Sequence, residues 1–511
     1  MNTNNKRIAK NTLYLYFRML FSMGVSLYTS RVILSTLGVE DFGIYGVVGG
    51  VVAMFSFINS SMSSATSRFL TFELGTGNKE NLNKTFSSAV TIHILIAIFV
   101  LILAETIGLW FLENKLVIPA GRMNAARWVY QLSIASTMIA IVQVPYNATI
   151  IAHERMNIYA YVEILNVCLK LGIVYLLVVG NFDKLILYAV LVFCVSTLIA
   201  IIYRIYCLKN FEESKYHFLW DRKYIYPMLS FSGWSLFGSA VSMTRGQGIN
   251  ILMNIFFGTA VNAANAIANQ VNAVISIFSY NFTTSLNPQI VKSYAANERE
   301  QMKMLIFRGG KFSFFLLLML SIPILLETDI VLKLWLRDVP EYAAVFTKLI
   351  ILFSLTDCFT TTLSMAVQAT GKIRHYQILV GGGLLFTFPI ALVCYKLGAN
   401  PQSAFVGAII VSVIAIFIRL YFIKKYLNIK IYDYAKSVLL SAVMVFMCSL
   451  ILPYFLYRYM EYGWLRLISV CFISICSTTL FTYLLGLTKL ERIRIENFIK
   501  NKAIKRKKFH S

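Results

Sequence analysis

Acidic side chains are scarce in this chain of 511 residues: 23 Asp and Glu stand against 47 Lys and Arg, and charged residues of both signs reach only 14%. A typical soluble domain carries roughly a quarter charged residues, so an ordinary water-facing surface is excluded. Cysteine is also sparse. All eight (Cys168, Cys194, Cys207, Cys358, Cys394, Cys448, Cys471 and Cys476) fall in or at the end of apolar runs. None has a paired spacing in a loop, which argues against a disulfide framework and against a metal site. Walker motifs, metal triads and nucleophile elbows are missing too, so ATP-driven or hydrolytic chemistry has no residues to rest on. Extended loops are lacking as well: the longest, about 65–85 and 287–306, are short and slightly basic. An enzyme would ordinarily need a larger loop-borne active site with carboxylates, and the chain is therefore not expected to be an enzyme.

What is abundant is apolar surface. Hydrophobic residues make up 58% of the sequence, and windows of about 20 apolar residues, the length that crosses a bilayer core, recur from end to end. Fourteen can be drawn, the first over 11–37 and the last over 465–487. The predicted fold class is an all-α integral membrane protein with about 14 transmembrane helices. The first window is too long for a signal-peptide core and has no small-residue cleavage site behind it, so it reads as a retained helix. With the N-terminus inside, the tails and loops on that side hold 28 Lys and Arg against 6 on the other side. This positive-inside bias places both termini in the cytoplasm. The basic tail, with IKRKKFHS at its end, is expected against anionic headgroups of membrane lipids.

An internal repeat appears at a shift of 220 residues. Gly38 lies over Gly258, Gly43 over Ala263, Gly46 over Ala266, Ser56 over Ser276, Lys79 over Arg299 and Glu80 over Glu300. The same shift superposes spans three to six on nine to twelve. It predicts two six-helix bundles of like orientation, in pseudo-twofold arrangement about the membrane normal: residues 1–210 and 211–430, then helices 13 and 14 over 431–487 and a tail over 488–511. In LGVEDFGIYGVVGGVVAMF, Gly43, Gly46 and Gly50 follow i, i+3, i+7 and make one smooth helix face. That face serves either close packing or a helix that slides or bends when access changes. Glu40 and Asp41 suit the positive end of the helix dipole.

The stretch TSRVILSTLGVEDFGIYGVVGGVV, residues 29–52, resembles the start of bacterial O-antigen and capsule flippases. These are the Wzx-like polysaccharide transporters of the MATE-like multidrug, oligosaccharidyl-lipid and polysaccharide exporter superfamily. IAHERMNIYAYVEI, NPQIVKSYAANE and VQATGKIRHYQILVGGG carry further likeness, and the resemblance covers nearly the whole chain. It implies a flippase that moves polyprenyl-diphosphate-linked oligosaccharide repeat units from the cytoplasmic to the periplasmic leaflet of the bacterial inner membrane by alternating access. It implies no cofactor beyond a Na+ or H+ gradient, and polymerase and chain-length proteins of the same pathway as neighbours. Nucleic acid is not an expected partner, since the net charge of +24 is distributed by topology.

Charges far from water are functional candidates by default. Arg18 and Arg31 share the first span, Arg18 nearer the cytoplasm and Arg31 nearer the outside. Arg245 sits mid-span in SMTRGQGIN with no path to snorkel. Lys170 follows Glu163 by two turns on one face, as an internal ion pair or as a substrate contact. Arginine holds phosphate bidentately and keeps its charge, so Arg18, Arg31, Arg245 and Lys170 are the candidates for the diphosphate. Asp357 and Glu163 are assigned to charge balance or ion coupling. Asn262, Asn265, Asn269 and Asn272 form a polar stripe that either hydrogen-bonds between helices or, chiefly through Asn265 and Asn269, meets sugar hydroxyls. His93, alone on an apolar helix, is read as structural. A cation-coupled multidrug exporter of the same superfamily and a non-transporting scaffold of a glycan-assembly complex are the competing readings. An exporter of cations should have an acidic cavity, whereas these deep charges lean basic.

Overall fold

The computed structural model describes residues 3–53, 56–114, 118–177, 182–336, 339–489, 491–493 and 496. Side chains at 3–9, 27, 30–31, 34–35, 39–40, 42–43, 46–47, 49–53, 56–60, 120, 247, 254, 259–260 and 263 are outside that description. Helices account for nearly all of the described chain, and no strand occurs among the described residues. The first helical stretch, Thr3–Ala53, is two helices broken at Gly38, whose φ of 81° and ψ of 168° no helix contains. These are α1 (3–37) and α2 (39–53 with Ser56–Thr76). There follow α3 (Lys79–Asn114), α4 (Met123–Ala152), α5 (Met156–Leu176), α6 (Lys184–Asn210), α7 (Arg222–Phe257) and α8 (Thr259–Ala295). The remainder are α9 (Arg299–Leu326), α10 (Ala343–Ala369), α11 (Arg374–Lys396), α12 (Ser403–Leu427), α13 (Ile431–Tyr459) and α14 (Trp464–Gly486).

Ten of these, α3–α6 and α9–α14, are long and apolar enough to cross a membrane. The other four open the two repeats, and they are richer in Gly, Ser and Asn. With them the chain has about fourteen helices of spanning length.

Chain contacts divide the protein into two compact units, Lys10–Ser239 and Ala240–Ser511 with Met1–Ala9. The division falls inside α7, not at 210/211. The reason is local: the first turns of α7 pack on the first unit, where Ile225 and Met228 join Met62, Ala89 and Ile92. The Phe231 ring also meets Phe69 edge-on at 5.9 Å, and Tyr224 Oη donates to Asn81 Oδ1 at 2.9 Å.

Each unit has the same internal plan. In the first, α4 is the central helix and packs on α2, α3 and α6; in the second, α10 takes that place against α8, α9 and α12. Phe86, Tyr146 and Ile150 belong to one core, and Phe346, Ile350 and Phe405 to the other. The repeat is visible in the backbone as well. Gly258 repeats the conformation of Gly38 with φ 82° and ψ −175°, and Asn297 (φ 57°) stands 220 residues after Gly77 (φ 76°), each in the left-handed region. The hairpin α13–α14 packs on α9 and so belongs to the second unit.

Candidate functional site

The charged interior of the second unit is built by α7, α10, α11 and α12. Asp357 and Ser364 lie seven apart on α10, as do Ser412 and Arg419 on α12, so each pair occupies one helix face two turns apart. The two faces meet in rungs. Ser412 Oγ donates to Asp357 Oδ1 at 3.3 Å. Further along, Arg419 Nε donates to Tyr376 Oη at 3.2 Å, and that hydroxyl lies 2.6 Å from Ser364 Oγ. From α7, the Arg245 guanidinium lies 5.1 Å from the centre of the Phe353 ring, a cation–π contact that keeps a charge in a site of low polarity. Asp357 and Arg419 are both within electrostatic reach of Arg245.

Two atoms are left over. Nη1 of Arg245 and Nη1 of Arg419 are buried and have no hydrogen-bond partner among the described residues. A buried donor without an acceptor carries its full desolvation cost, and more so when it is charged. Arg245 thus has a second guanidinium and one carboxylate within electrostatic reach, and the two unpartnered donors suit an anion.

Along α8 the amides have a different role. Asn265 is buried, and its Nδ2 donates to Asn250 Oδ1 of α7. Asn269 Nδ2 donates to the Asn265 carbonyl at 2.9 Å and to its Oδ1 at 3.0 Å. Asn265 thus ties two helices together, while Asn269 is exposed.

In the first unit the candidates separate. Arg18 lies 5.0 Å from the Tyr159 ring centre. Glu163 accepts from Asn166 at 3.4 Å. Lys170 is exposed and, among the described residues, forms no ion pair with Glu163, so that alternative is removed. His93 is fully buried, with Nδ1 2.8 Å from the Ala89 carbonyl oxygen, a structural contact. The side chain of Arg31 and the packing of Gly43, Gly46 and Gly50 lie outside the described residues, as do the Glu40 side chain and the tail beyond residue 496.

Polar clamps close the ends of the first unit. Arg122 Nε and Nη2 donate to both oxygens of Asp41 at 2.8 and 2.5 Å, and Nη1 and Nη2 reach Asp183 at 2.5 and 3.2 Å. Asp41 therefore does more than face a helix dipole. Burial pushes the Asp183 carboxyl up, but Arg122 and the amides of Ile186 and Leu185 hold it below the usual range. At the other end, His153 Nε2 lies 2.5 Å from Glu213 Oε1, and the imidazole stacks on Phe211 at 4.1 Å. Burial again raises the Glu213 carboxyl, and the His153 contact leaves it lowered overall.

Sequence reasoning missed Arg419 and Tyr376. The available signal was a single arginine in the apolar run 403–423, seven residues after a serine.

The sequence profile described as "Polysaccharide biosynthesis protein" matches residues 8–294, more than half of the chain. The chain belongs to the polysaccharide biosynthesis protein family. A second profile, MatE, matches residues 235–393 of this family member. No curated protein matches it by sequence. Its fold is that of solved MATE structures. A MATE protein in the bent conformation superposes with a TM-score of 0.72 at 13% identity, over 83% of this chain and 98% of that one. An outward-facing multidrug resistance MATE family transporter of the MOP superfamily gives 0.70 at 14%, over 83% and 97%. A MOP superfamily transporter from Pyrococcus furiosus, described by a binding pocket of reversed polarity that suggests a different function, gives 0.66 at 14%, over 83% and 97%. The polysaccharide biosynthesis protein, with ten described helices long and apolar enough to cross a membrane, is a multi-pass membrane protein with a MATE-like fold.

Proposed function

We propose that this transporter is a flippase for polyprenyl-diphosphate-linked oligosaccharide units, carrying them from the cytoplasmic to the periplasmic leaflet of a bacterial inner membrane by alternating access. One observation carries the reading: a polysaccharide-family transporter holds Arg245 deep in a membrane helix with a buried, unpartnered Nη1. A diphosphate supplies the acceptors that such a donor lacks. Arg18, Arg31 and Lys170 are the further candidates for the same group in the first unit. Asn269, exposed on α8, is placed to meet sugar hydroxyls. Asn265 is its support. Asp357, facing Ser412, either balances the charge of the arginines or takes up a coupling H+ or Na+, with Glu163 as a second such group. Gly43, Gly46 and Gly50 provide a smooth face for the accompanying helix movement. Both termini are cytoplasmic in this reading, and polymerase and chain-length proteins of the pathway are its neighbours.

The MatE match over residues 235–393 favours a second reading, export of cationic drugs. Its cavity would need acidic residues to hold a cation, and the group formed by Arg245, Asp357 and Arg419 has two arginines to one aspartate. The Pyrococcus furiosus transporter of the same fold is itself described by a reversed pocket polarity that suggests a different function. The two readings are separated in proteoliposomes containing a fluorescent short-chain polyprenyl diphosphate sugar. Protein-dependent movement of the label to the quencher-accessible leaflet, reduced by Arg245→Gln, is expected. Absence of movement together with uptake of a cationic dye would overturn the proposal.

A further inference from the structure

Arg419 has no part in the function as proposed so far, yet it is the more deeply buried of the two guanidinium groups, with 6% exposure. We propose that Arg419 and Arg245 act as a pair in the second unit, two guanidinium groups that together hold the phosphate of the transported lipid, with Asp357 as the resident counter-charge that this phosphate relieves. The inference rests on the flippase reading and names the residues that read its substrate.

Three observations support it. The first is a donor inventory. A guanidinium has five N–H groups and no acceptor. Arg419 uses Nε on Tyr376, while its Nη1, like that of Arg245, points at no acceptor among the described residues. The second is charge. In a membrane interior, two like charges within electrostatic reach of each other, with one carboxylate in reach of Arg245, are costly unless a further anion arrives. Ser412 and Tyr376 do not supply it, because both are neutral. The third comes from the repeat. At the shift of 220 the places of Arg245, Asp357 and Arg419 are held by Val25, Thr137 and Ile199. The first unit builds the same helix packing on these neutral residues. The charges are therefore an addition to the fold, not a requirement of it.

The spacing also has a consequence for selectivity. Arg419 is held by Tyr376 at Nε, which orients the planar fork, and only an arginine keeps both that bond and a second free edge. Lysine at this place would retain the charge and lose the fork. Asp357, in contrast, competes with the incoming phosphate for the same cations. Its neutralisation should strengthen anion binding, an effect that a purely structural aspartate would not show.

The test uses the full-length protein in nanodiscs with farnesyl diphosphate, inorganic pyrophosphate and farnesol as probes, read by calorimetry and by thermal unfolding. Farnesyl diphosphate is expected to bind the wild type. Arg419→Gln should weaken it by roughly tenfold or more, the loss that follows removal of a charge-assisted hydrogen bond. Arg419→Lys should weaken it less, and Asp357→Asn should tighten it. Weaker pyrophosphate binding that falls in parallel with Arg419→Gln, with farnesol unaffected, supports recognition of the phosphate and assigns the lipid source to the prenyl tail. Pyrophosphate binding as tight as that of farnesyl diphosphate, and equally lost in the variant, supports the pair but assigns it to free phosphate. Equal affinity of wild type and a folded Arg419→Gln overturns the inference and leaves the flippase reading standing. Should Arg419→Gln fail to fold, Arg419→Lys and Asp357→Asn decide: unchanged or weakened affinity in Asp357→Asn overturns the inference. A wild type that binds no diphosphate probe removes the reading on which the inference rests.

Discussion

Glu327 and Arg466 stand 139 positions apart in the sequence, yet Arg466 Nε and Nη2 donate to the two Glu327 oxygens at 2.7 and 2.9 Å. The glutamate is 1% exposed, and the guanidinium also lies over the rings of Tyr457 and Tyr462 at 4.8 and 5.1 Å. Removing one partner of such a pair leaves a buried charge uncompensated, at a cost of about 3–5 kcal/mol, whereas apolar replacement of both is often nearly neutral. Glu327→Gln is therefore expected to lower the thermal unfolding temperature in detergent markedly, and Glu327→Leu with Arg466→Met to restore most of it. A single variant no worse than the double would contradict this. Pairs of this kind are illegible in a sequence, since nothing local links residue 327 to residue 466. The isolated charges were legible: Arg245 announced itself by sitting mid-span among small residues. Arg419 did not, because one arginine in an apolar run looks the same whether it snorkels to the interface or is buried against a tyrosine of another helix.

At the scale of helices, the sequence speaks most clearly through Gly38 and Gly258. They align at the shift of 220, and the structure gives them the same backbone, φ near 80° with ψ near ±170°, a region essentially closed to residues with a Cβ. Each separates the first two helices of its repeat. Ala at either position is expected to cost about 1–3 kcal/mol, read as a lower unfolding temperature. Gly24→Ala, at a helical position with no atom within 4 Å of the added carbon, should be neutral or slightly stabilising. Equal effects at all three would contradict the assignment. Apolar periodicity gave the spans, whereas the packing of α7 did not follow from it. Its first turns join one unit and its remainder the other, a division fixed by contacts such as Ile225 with Met62 and Ala89, which no pattern within α7 encodes. The asparagine stripe of α8 was legible as polar, but only the partner Asn250 shows that Asn265 ties two helices together.

Across the whole molecule, two repeated six-helix plans carry an appended hairpin, and the hairpin is fastened to α9 at both ends. Glu327 with Arg466 forms one fastening. At the other, Arg308 Nε and Lys311 Nζ donate to Glu491 at 2.9 and 3.0 Å, with Lys311 also reaching the Gly486 carbonyl oxygen at 3.1 Å. Helices 13 and 14 are therefore part of the second unit. The proposed transport of a lipid-linked anion draws on the family, the MATE-like fold and the arginines of the second unit, and the glycan itself leaves no mark in these residues. The decisive measurement is genetic and chemical at once. Delete the gene in its source bacterium, quantify surface polysaccharide and cytoplasm-facing lipid-linked repeat units, and complement with wild type and with Arg245→Ala at matched expression. Loss of surface glycan with accumulation of the lipid-linked units, reversed by wild type and not by Arg245→Ala, is the expected result. Unchanged glycan in the deletion strain, with altered sensitivity to cationic dyes, would contradict it.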